Sequence, residues 1–554
     1  MAAFLAKHHF LLLLPLFSFT FFSTPLTSAL KNSSSNDLTN LHLLQIQSIC
    51  KTTPYPNVCF NSLKLSVSIN IPGDLLNFIL TALENTITEV TKLSTILATT
   101  TPYNLIEKQR GAIQDCKELH QISLIALKTS LPKIKASKIS DARAFLSATL
   151  TNKDTCLEGL ASASGPRQPI LVSSLISTYK HVSNSLSMLS NPRQGPHKAG
   201  VVHAENHHGR RLLVGLPKWL DRKNRKILQN DDYSGNDGND PSESIVVATD
   251  GSGNFTSIQE AINYAPNNSE YRTFIYVRQG IYEENVEVPS YKTNIVMLGD
   301  GRDNTIITGN RSVGDGWTTF RSATLAVSGE GFLARDMGFE NIAGPEKHQA
   351  VALRINADLA AIYRCTIIGY QDTLYVHSFR QFYRECNIYG TIDYIFGNAA
   401  VVLQGCNIVT RMPLPGQFTA ITAQSRDNPD ENTGISIQNC TVLAAEDLYS
   451  NKSKVKSYLG RPWKKYARTV YIESYIDDFI DPSGWSKWSD NNTVDTLYYG
   501  EYGNQGPGSL TESRVSWGGY HVMDYDEASN FTVSQFIVGD EWLDSTSFPY
   551  DDTI

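Results

Sequence analysis

A short element recurs four times in the second half of this chain: YRCTIIGYQDTLYV, YRECNIYGTIDYIFG, LQGCNIVTRMP and IQNCTVLAAED. Its cysteines stand at 365, 386, 406 and 440, giving intervals of 21, 20 and 34 residues. A period near 20, built from short β-type runs broken by Gly, Asn and Asp, is the pattern of a solenoid whose coils stack in parallel. A β-sandwich or Greek-key barrel also uses many short strands. A second constant favours the solenoid: Asp372 and Asp393 each follow a repeat cysteine by seven residues. In a right-handed parallel β-helix, equivalent positions on adjacent coils lie about 4.8 Å apart. The two carboxylates are therefore expected side by side, within stretches that are otherwise apolar and aromatic. The same register brings Cys386 within disulfide reach of Cys406, with Cys365 in the same ladder as a competitor.

Two carboxylates at that separation, partly screened from water, do not both ionise cheaply. One keeps its proton and serves as an acid, while the other stays anionic. Such a pair supports nucleophilic attack with acid–base assistance. A single solenoid aspartate is more simply a turn cap. Two in register within aromatic sequence point to catalysis.

The rest of the 554 residues form a multidomain chain. Residues 1–29, MAAFLAKHHFLLLLPLFSFTFFSTPLTSA, have a weakly basic start, an apolar run from Phe10 to Phe22 and small residues at the end. That is the layout of a secretory signal peptide, and Pro15 and the short run argue against a permanent anchor. With no later run long enough to span a bilayer, the mature chain is expected to be soluble and secreted. Export permits disulfides among its eight cysteines. It also makes Asn310, Asn451 and Asn530, each in an N-x-S/T sequence, glycan acceptors.

Between about 40 and 190, apolar residues recur at gaps of three and four. Leu76, Ile79, Leu80, Leu83, Ile87 and Val90 form one such series, and Leu175, Tyr179, Val182, Leu186 and Leu189 another. Glycine and proline are sparse, so an all-α four-helix bundle is expected. Its cysteines are Cys50, Cys59, Cys116 and Cys156. They read as two disulfides rather than a metal site, because no C-x2-C is present. Cys50–Cys59 is the natural local loop, although spacing alone permits three connectivities.

Residues 191–240 turn polar and read as a linker. Its histidines, His197, His203, His207 and His208, are expected to be solvated rather than metal-bound. Two basic pairs, Arg210-Arg211 and Arg225-Lys226, are each followed by aliphatics. They either keep the linker soluble or serve as processing sites for a protease, as exposed dibasic pairs between folded units do. A net charge of −7 argues against nucleic acid as the main partner.

From 243 to 550 several motifs appear in order: GIYEENV (280–286), QAVAL (349–353), GYQDTL (369–374), DYIFG (393–397) and LGRPW (459–463). Together they resemble the plant pectin methylesterase family, with Tyr394 standing where the family usually has Phe. The bundle, with CKTTPYPNVC and DARAFLSATLTNKDTCLEGL, resembles the pectin methylesterase inhibitor domain. The resemblance implies an esterase acting on methyl-esterified homogalacturonan. Asp393 would be the nucleophile on the C6 ester carbonyl, and Asp372 the acid and then the base. Gln349 and Gln371 would donate to the oxyanion, and Arg461 would hold Asp393 ionised by two hydrogen bonds. Trp463 would offer a face to a sugar ring, and Thr319 matches a substrate contact. Neither a metal nor an organic cofactor is implied. The implied setting is the cell wall, as a monomer whose bundle suppresses activity until the linker is cut. Inhibitor-domain proteins would be further partners.

Two rivals remain at this level. A β-helical polysaccharide glycosidase also uses two carboxylates about 5 Å apart. An inhibitor or wall-binding protein with a spent catalytic part is the other, and the intact Gln, Gln, Asp, Asp, Arg set argues against it. The lack of a G-x-S-x-G elbow argues against a serine esterase.

Overall fold

The computed structural model describes residues 35–64, 75–100, 106–107, 111–164, 166–190, 244–489 and 494–554. The signal-peptide reading of 1–29 and the linker of 191–240, with Arg210, Arg211, Arg225 and Lys226, lie outside these residues.

The first half is helical: α1 (Ser35–Cys50), α2 (Pro56–Lys64), α3 (Leu75–Thr99), α4 (Ala112–Lys135), α5 (Ile139–Ala161) and α6 (Gln168–Ser190). The four long helices α3–α6 pack on one another through the expected apolar stripes. Ile79, Leu83 and Val90 of α3 and Leu175, Tyr179, Val182 and Leu186 of α6 are buried in one cluster. Leu76 instead lies exposed. Cys50–Cys59 ties α1 to α2 and Cys116–Cys156 ties α4 to α5, with Cα atoms 5.5 and 4.6 Å apart. Of the three connectivities, the structure makes this one.

Helix α5 departs from simple amphipathicity. Leu146, Leu150 and Leu160 face the bundle core, yet Ser147, Thr149, Thr151 and Asn152 are buried as well. Small polar residues survive burial only with hydrogen-bond partners, and several partners come from the other half of the chain. Asn398 donates to Thr151 Oγ1 at 2.8 Å, Asn356 to Asn152 Oδ1 at 3.4 Å, and the Asn432 amide to Ser147 Oγ at 3.3 Å. The helix is thus covered on two sides.

The second half winds three parallel sheets, of 11, 8 and 7 strands, into a parallel β-helix. The repeat period is set by a backbone device. Asp336, Arg364, Glu385, Gly405 and Asn439 all have φ between +49° and +64°, and each immediately precedes Met337 or a repeat cysteine. A left-handed residue turns the chain sharply, here from the 11-stranded sheet into the 8-stranded one. Beyond each corner the strands keep register, Thr366↔Asn387, Asn387↔Asn407 and Asn407↔Thr441. The long third interval contains residues 425–433, whose Asn428 and Asp430 bond to Ser183 and Ser190 of the bundle.

The four repeat cysteines form a buried ladder inside the solenoid, and all four are free thiols. The expected Cys386–Cys406 bridge is not made. In-register parallel neighbours project the same way at about 4.8 Å. Their Cβ atoms therefore stand farther apart than the ~3.8 Å of a typical disulfide.

Three elements close the solenoid. Helix α7 (Ile258–Tyr264), capped by Ser257, buries Ile258, Ala261 and Ile262 over its first coils. The C-terminal segment lays Phe531, Phe536, Trp542 and Phe548 on the outer face of the 11-stranded sheet. The helical bundle covers the outer face of the 7-stranded sheet, where Phe320, Ala326, Tyr375 and Phe396 join the bundle's apolar cluster.

Candidate active site

Of the polar residues singled out above, Asp393 lies within a strand of the 7-stranded sheet (Ile392–Gly397), while Thr319, Gln349, Gln371 and Asp372 lie in the segments leading into its strands and Arg461 just past its last. Strand pairing Leu374↔Ile395 and Tyr375↔Phe396 sets Asp372 opposite Asp393 on adjacent coils. The Asp372 amide donates to the Ile392 carbonyl at 3.1 Å. Both aspartates are left-handed, with φ of +63° and +52°. Because such residues recur at the corners of this solenoid, the backbone alone marks a bend. Burial and a charged partner set these two apart.

That partner is Arg461, just past strand Ser457–Gly460. Its Nε donates to Asp393 Oδ1 at 2.8 Å and its Nη2 to Oδ2 at 2.6 Å. Gly460 lets this strand lie close against its neighbour, since a Cβ there would lie 2.1 Å from Thr422 Oγ1. The guanidinium lies over the Trp488 ring at 4.1 Å and the Phe418 ring at 5.0 Å. Its direction is therefore set by two ring contacts and by the fork.

Burial raises the Asp393 carboxyl above the usual range, opposed by the hydrogen bonds and charge of Arg461. Asp372 is raised well above it, by burial first and then by the charge of Asp393. Of the two, Asp372 is accordingly the carboxyl that holds a proton more tightly. The two carboxyls take the unequal states that an acid and a nucleophile need.

Gln349, Gln371, Thr319 and Trp463 line the same cavity, of about 380 Å³, with both aspartates and Arg461. All seven expected residues are brought together. Missing from the sequence reading are Phe320, Tyr375, Phe396 and Trp488, which form its apolar wall. Tyr375 and Phe396 stack at 4.1 Å, and Trp463 lies 6.0 Å from Phe396 and 6.3 Å from Trp488. A signal was present: Tyr375 and Phe396 each follow their aspartate by three residues. Trp488, 25 residues beyond Trp463, had none.

The bundle closes the cavity from above, through Asp115 of α4 and Thr155, Glu158 and Gly159 of α5. Thr318 donates to Asp115 Oδ2 at 2.6 Å, and Lys464 pairs with Glu158 at 2.7 Å. Arg380, held by Asp358, reaches Asp141 of α5 at 2.8 Å. Among the described residues no group of His, Cys, Asp and Glu is placed to hold a metal ion.

Comparison with known proteins agrees with this arrangement. Residues 244–540 match the pectinesterase family, and residues 45–188 match the plant invertase/pectin methylesterase inhibitor family. The chain is 61% identical over 521 residues to probable pectinesterase/pectinesterase inhibitor 12 of Arabidopsis thaliana, covering 93% of this chain and 94% of that protein. It is 43% identical over 510 residues to pectinesterase 2 of Citrus sinensis, covering 91% and 94%. The solved pectin methylesterase from carrot superimposes with a TM-score of 0.57 at 51% identity, over 57% of this chain and 100% of that one. With a matched β-helix, a matched bundle and relatives similar over nearly its whole length, the chain belongs to the plant pectinesterases, carboxylic ester hydrolases of pectin, in the form that carries an inhibitor domain ahead of the esterase.

Proposed function

We propose that this pectinesterase works through an acyl-enzyme on Asp393, and that its own bundle holds it inactive. A carboxylate oxygen of Asp393 attacks the C6 carbonyl carbon, and the Gln349 and Gln371 amides stabilise the resulting oxyanion. The C–O bond to the methoxy group then breaks as Asp372 gives its proton to departing methanol. Asp372, now ionised, takes a proton from water, whose oxygen attacks the acyl-enzyme and frees the galacturonate acid and Asp393. The observation that carries this reading is the two-point grip of Arg461 on Asp393 beside Asp372, whose carboxyl is held well above the usual range by burial and the charge of Asp393. An arginine and amide donors favour negative charge on oxygen and oppose the positive sugar ring of glycosidic cleavage.

The suppression reading rests on the bundle residues that cap the cavity. Pectin cannot enter while α4 and α5 lie over the 7-stranded sheet, and the tether keeps the bundle at high local concentration. Cutting the linker near Arg210-Arg211 or Arg225-Lys226 then releases activity, in the cell wall if the signal peptide directs export. Methanol release from highly methylated pectin, measured before and after linker cleavage, tests both. A rise on cleavage with no fall in pectin chain length is expected. Equal rates before and after would overturn the suppression, and chain shortening without methanol would overturn the esterase chemistry.

A further inference from the structure

The bundle grips the esterase at the cleft and again at a corner of the solenoid. Beside the cleft, Arg321 pairs with Asp115 at 2.5 Å and with Glu118 at 2.7 Å, and Arg354 has Glu118 at 3.8 Å. The corner is where strand Leu374–Ser378 of the 7-stranded sheet gives way to strand Arg380–Arg384 of the 11-stranded one. By strand rise it stands roughly 20 Å along the chain from Asp372. Neither Phe379 nor Arg380, which build it, lines the catalytic cavity.

Phe379 alone joins the two strands, and it is left-handed, with φ of +65°. That conformation hinders a bulky side chain and suits glycine or asparagine. Asn268, Asn294 and Asn439 adopt it elsewhere in the catalytic half. An asparagine would therefore serve this corner in a β-helix that stood alone. Instead a phenylalanine is there, only 6% exposed, and every other member of its buried cluster belongs to the bundle. These are Ile122 and Ala126 of α4 and Phe145 and Ala148 of α5. Phe145 meets Phe379 edge-on, with ring centres 5.7 Å apart. The catalytic half thus pushes an aromatic knob between two bundle helices.

Arg380 adds a directed charge beside the knob. Its Nε and Nη2 donate to Asp358 at 3.0 and 2.7 Å, which aims the remaining Nη1 at Asp141 of α5, 2.8 Å away. Lys133 of α4 holds the other oxygen of Asp141 at 3.0 Å. An aromatic anchor in a closed pocket next to a buried, oriented arginine is the composition of an interface hot spot.

We infer that Phe379 and Arg380 form a docking anchor for the inhibitor bundle, separate from the substrate cleft. A bundle is held tightly only if it brings the α4–α5 pocket and Asp141. The regulatory meaning of the anchor rests on the suppression proposed above, whereas the binding itself does not.

The test uses the full chain with a specific protease site placed in its linker, cut after folding and diluted in steps. Retained bundle is followed by the anisotropy of a dye on the bundle, and methanol release from highly methylated pectin is measured in the same samples. Phe379→Asn, which suits the left-handed corner, should raise the dissociation constant about 30-fold or more, the scale of a hot-spot truncation. Asp141→Asn on the bundle should raise it about tenfold, the worth of one charge-assisted hydrogen bond. Phe145→Ala should add little to Phe379→Asn, because both empty one contact. At limiting dilution, where the bundle has left, Phe379→Asn should keep the wild-type kcat and KM. An unchanged dissociation constant in Phe379→Asn would overturn the anchor. So would a fall in kcat at limiting dilution, which would make Phe379 a structural part of the esterase. A wild type that is fully active while still holding its bundle would instead overturn the suppression and leave the anchor standing.

Discussion

Arg461 grips both carboxylate oxygens of Asp393, at 2.8 and 2.6 Å, while Asp372 on the adjacent coil keeps its proton through burial and the charge of Asp393. Two identical side chains in register thereby differ in proton affinity, Asp372 holding its proton more tightly than Asp393. Asp393→Ala should abolish methanol release, since no acyl-enzyme can form. Asp372→Asn should reduce it nearly as far, because an amide neither protonates methanol nor activates water. Activity should rise as Asp393 ionises and fall as Asp372 loses its proton, giving a bell whose upper limb lies well above the usual carboxylate value of 3.8. An upper limb that persists in Asp372→Asn would assign that limb to another group.

Gln371→Ala should slow turnover by roughly 10²–10³-fold, the usual cost of one lost oxyanion donor. The effect should fall on kcat with KM little changed, and the thermal midpoint should stay near that of the wild type. A change in KM alone would make Gln371 a ground-state contact.

Docking of the bundle should weaken as pH rises. Burial raises Asp115 of α4 to about 6, against the pull of Arg321, and raises Glu431 to about 7, with Asp154 of α5 adding to it. A carboxyl whose value is raised by docking favours the docked state below its free value, near 4, and that advantage is lost as pH climbs through 6 to 7. After linker cleavage, the dissociation constant of bundle from esterase should therefore increase between about pH 4 and pH 7. Asp115→Asn should flatten the lower part of that rise. A constant that falls over the same range would contradict the assignment.

Thiol titration separates the cysteine ladder from the bridge expected at first sight. Unfolded without reductant, the protein should yield four reactive thiols, from Cys365, Cys386, Cys406 and Cys440. Folded, it should yield almost none, because all four are buried. A count of two after unfolding would restore Cys386–Cys406.

Processing should leave a mature esterase beginning near residue 229, after Arg225-Lys226-Ile227-Leu228. N-terminal sequencing of wall-extracted protein checks this. A start near Lys31 would mean that the bundle travels with the active enzyme.

The sequence by itself determined what depends on local chemistry and on repetition. Helical spacing marked the bundle, and the constant cysteine-to-aspartate offset placed Asp372 beside Asp393, because a parallel ladder carries equal offsets into contact. Tertiary structure alone decided what depends on elements far apart in the chain. The Trp488 stack on Arg461, the buried polar face of α5 and the bundle carboxylates on Arg321 and Arg354 join segments 27 to 285 residues apart, and no local period reports such pairings. The cysteine ladder lies between the two. Its register was legible in the spacing, but whether its thiols bridge depends on how side chains project from neighbouring parallel strands.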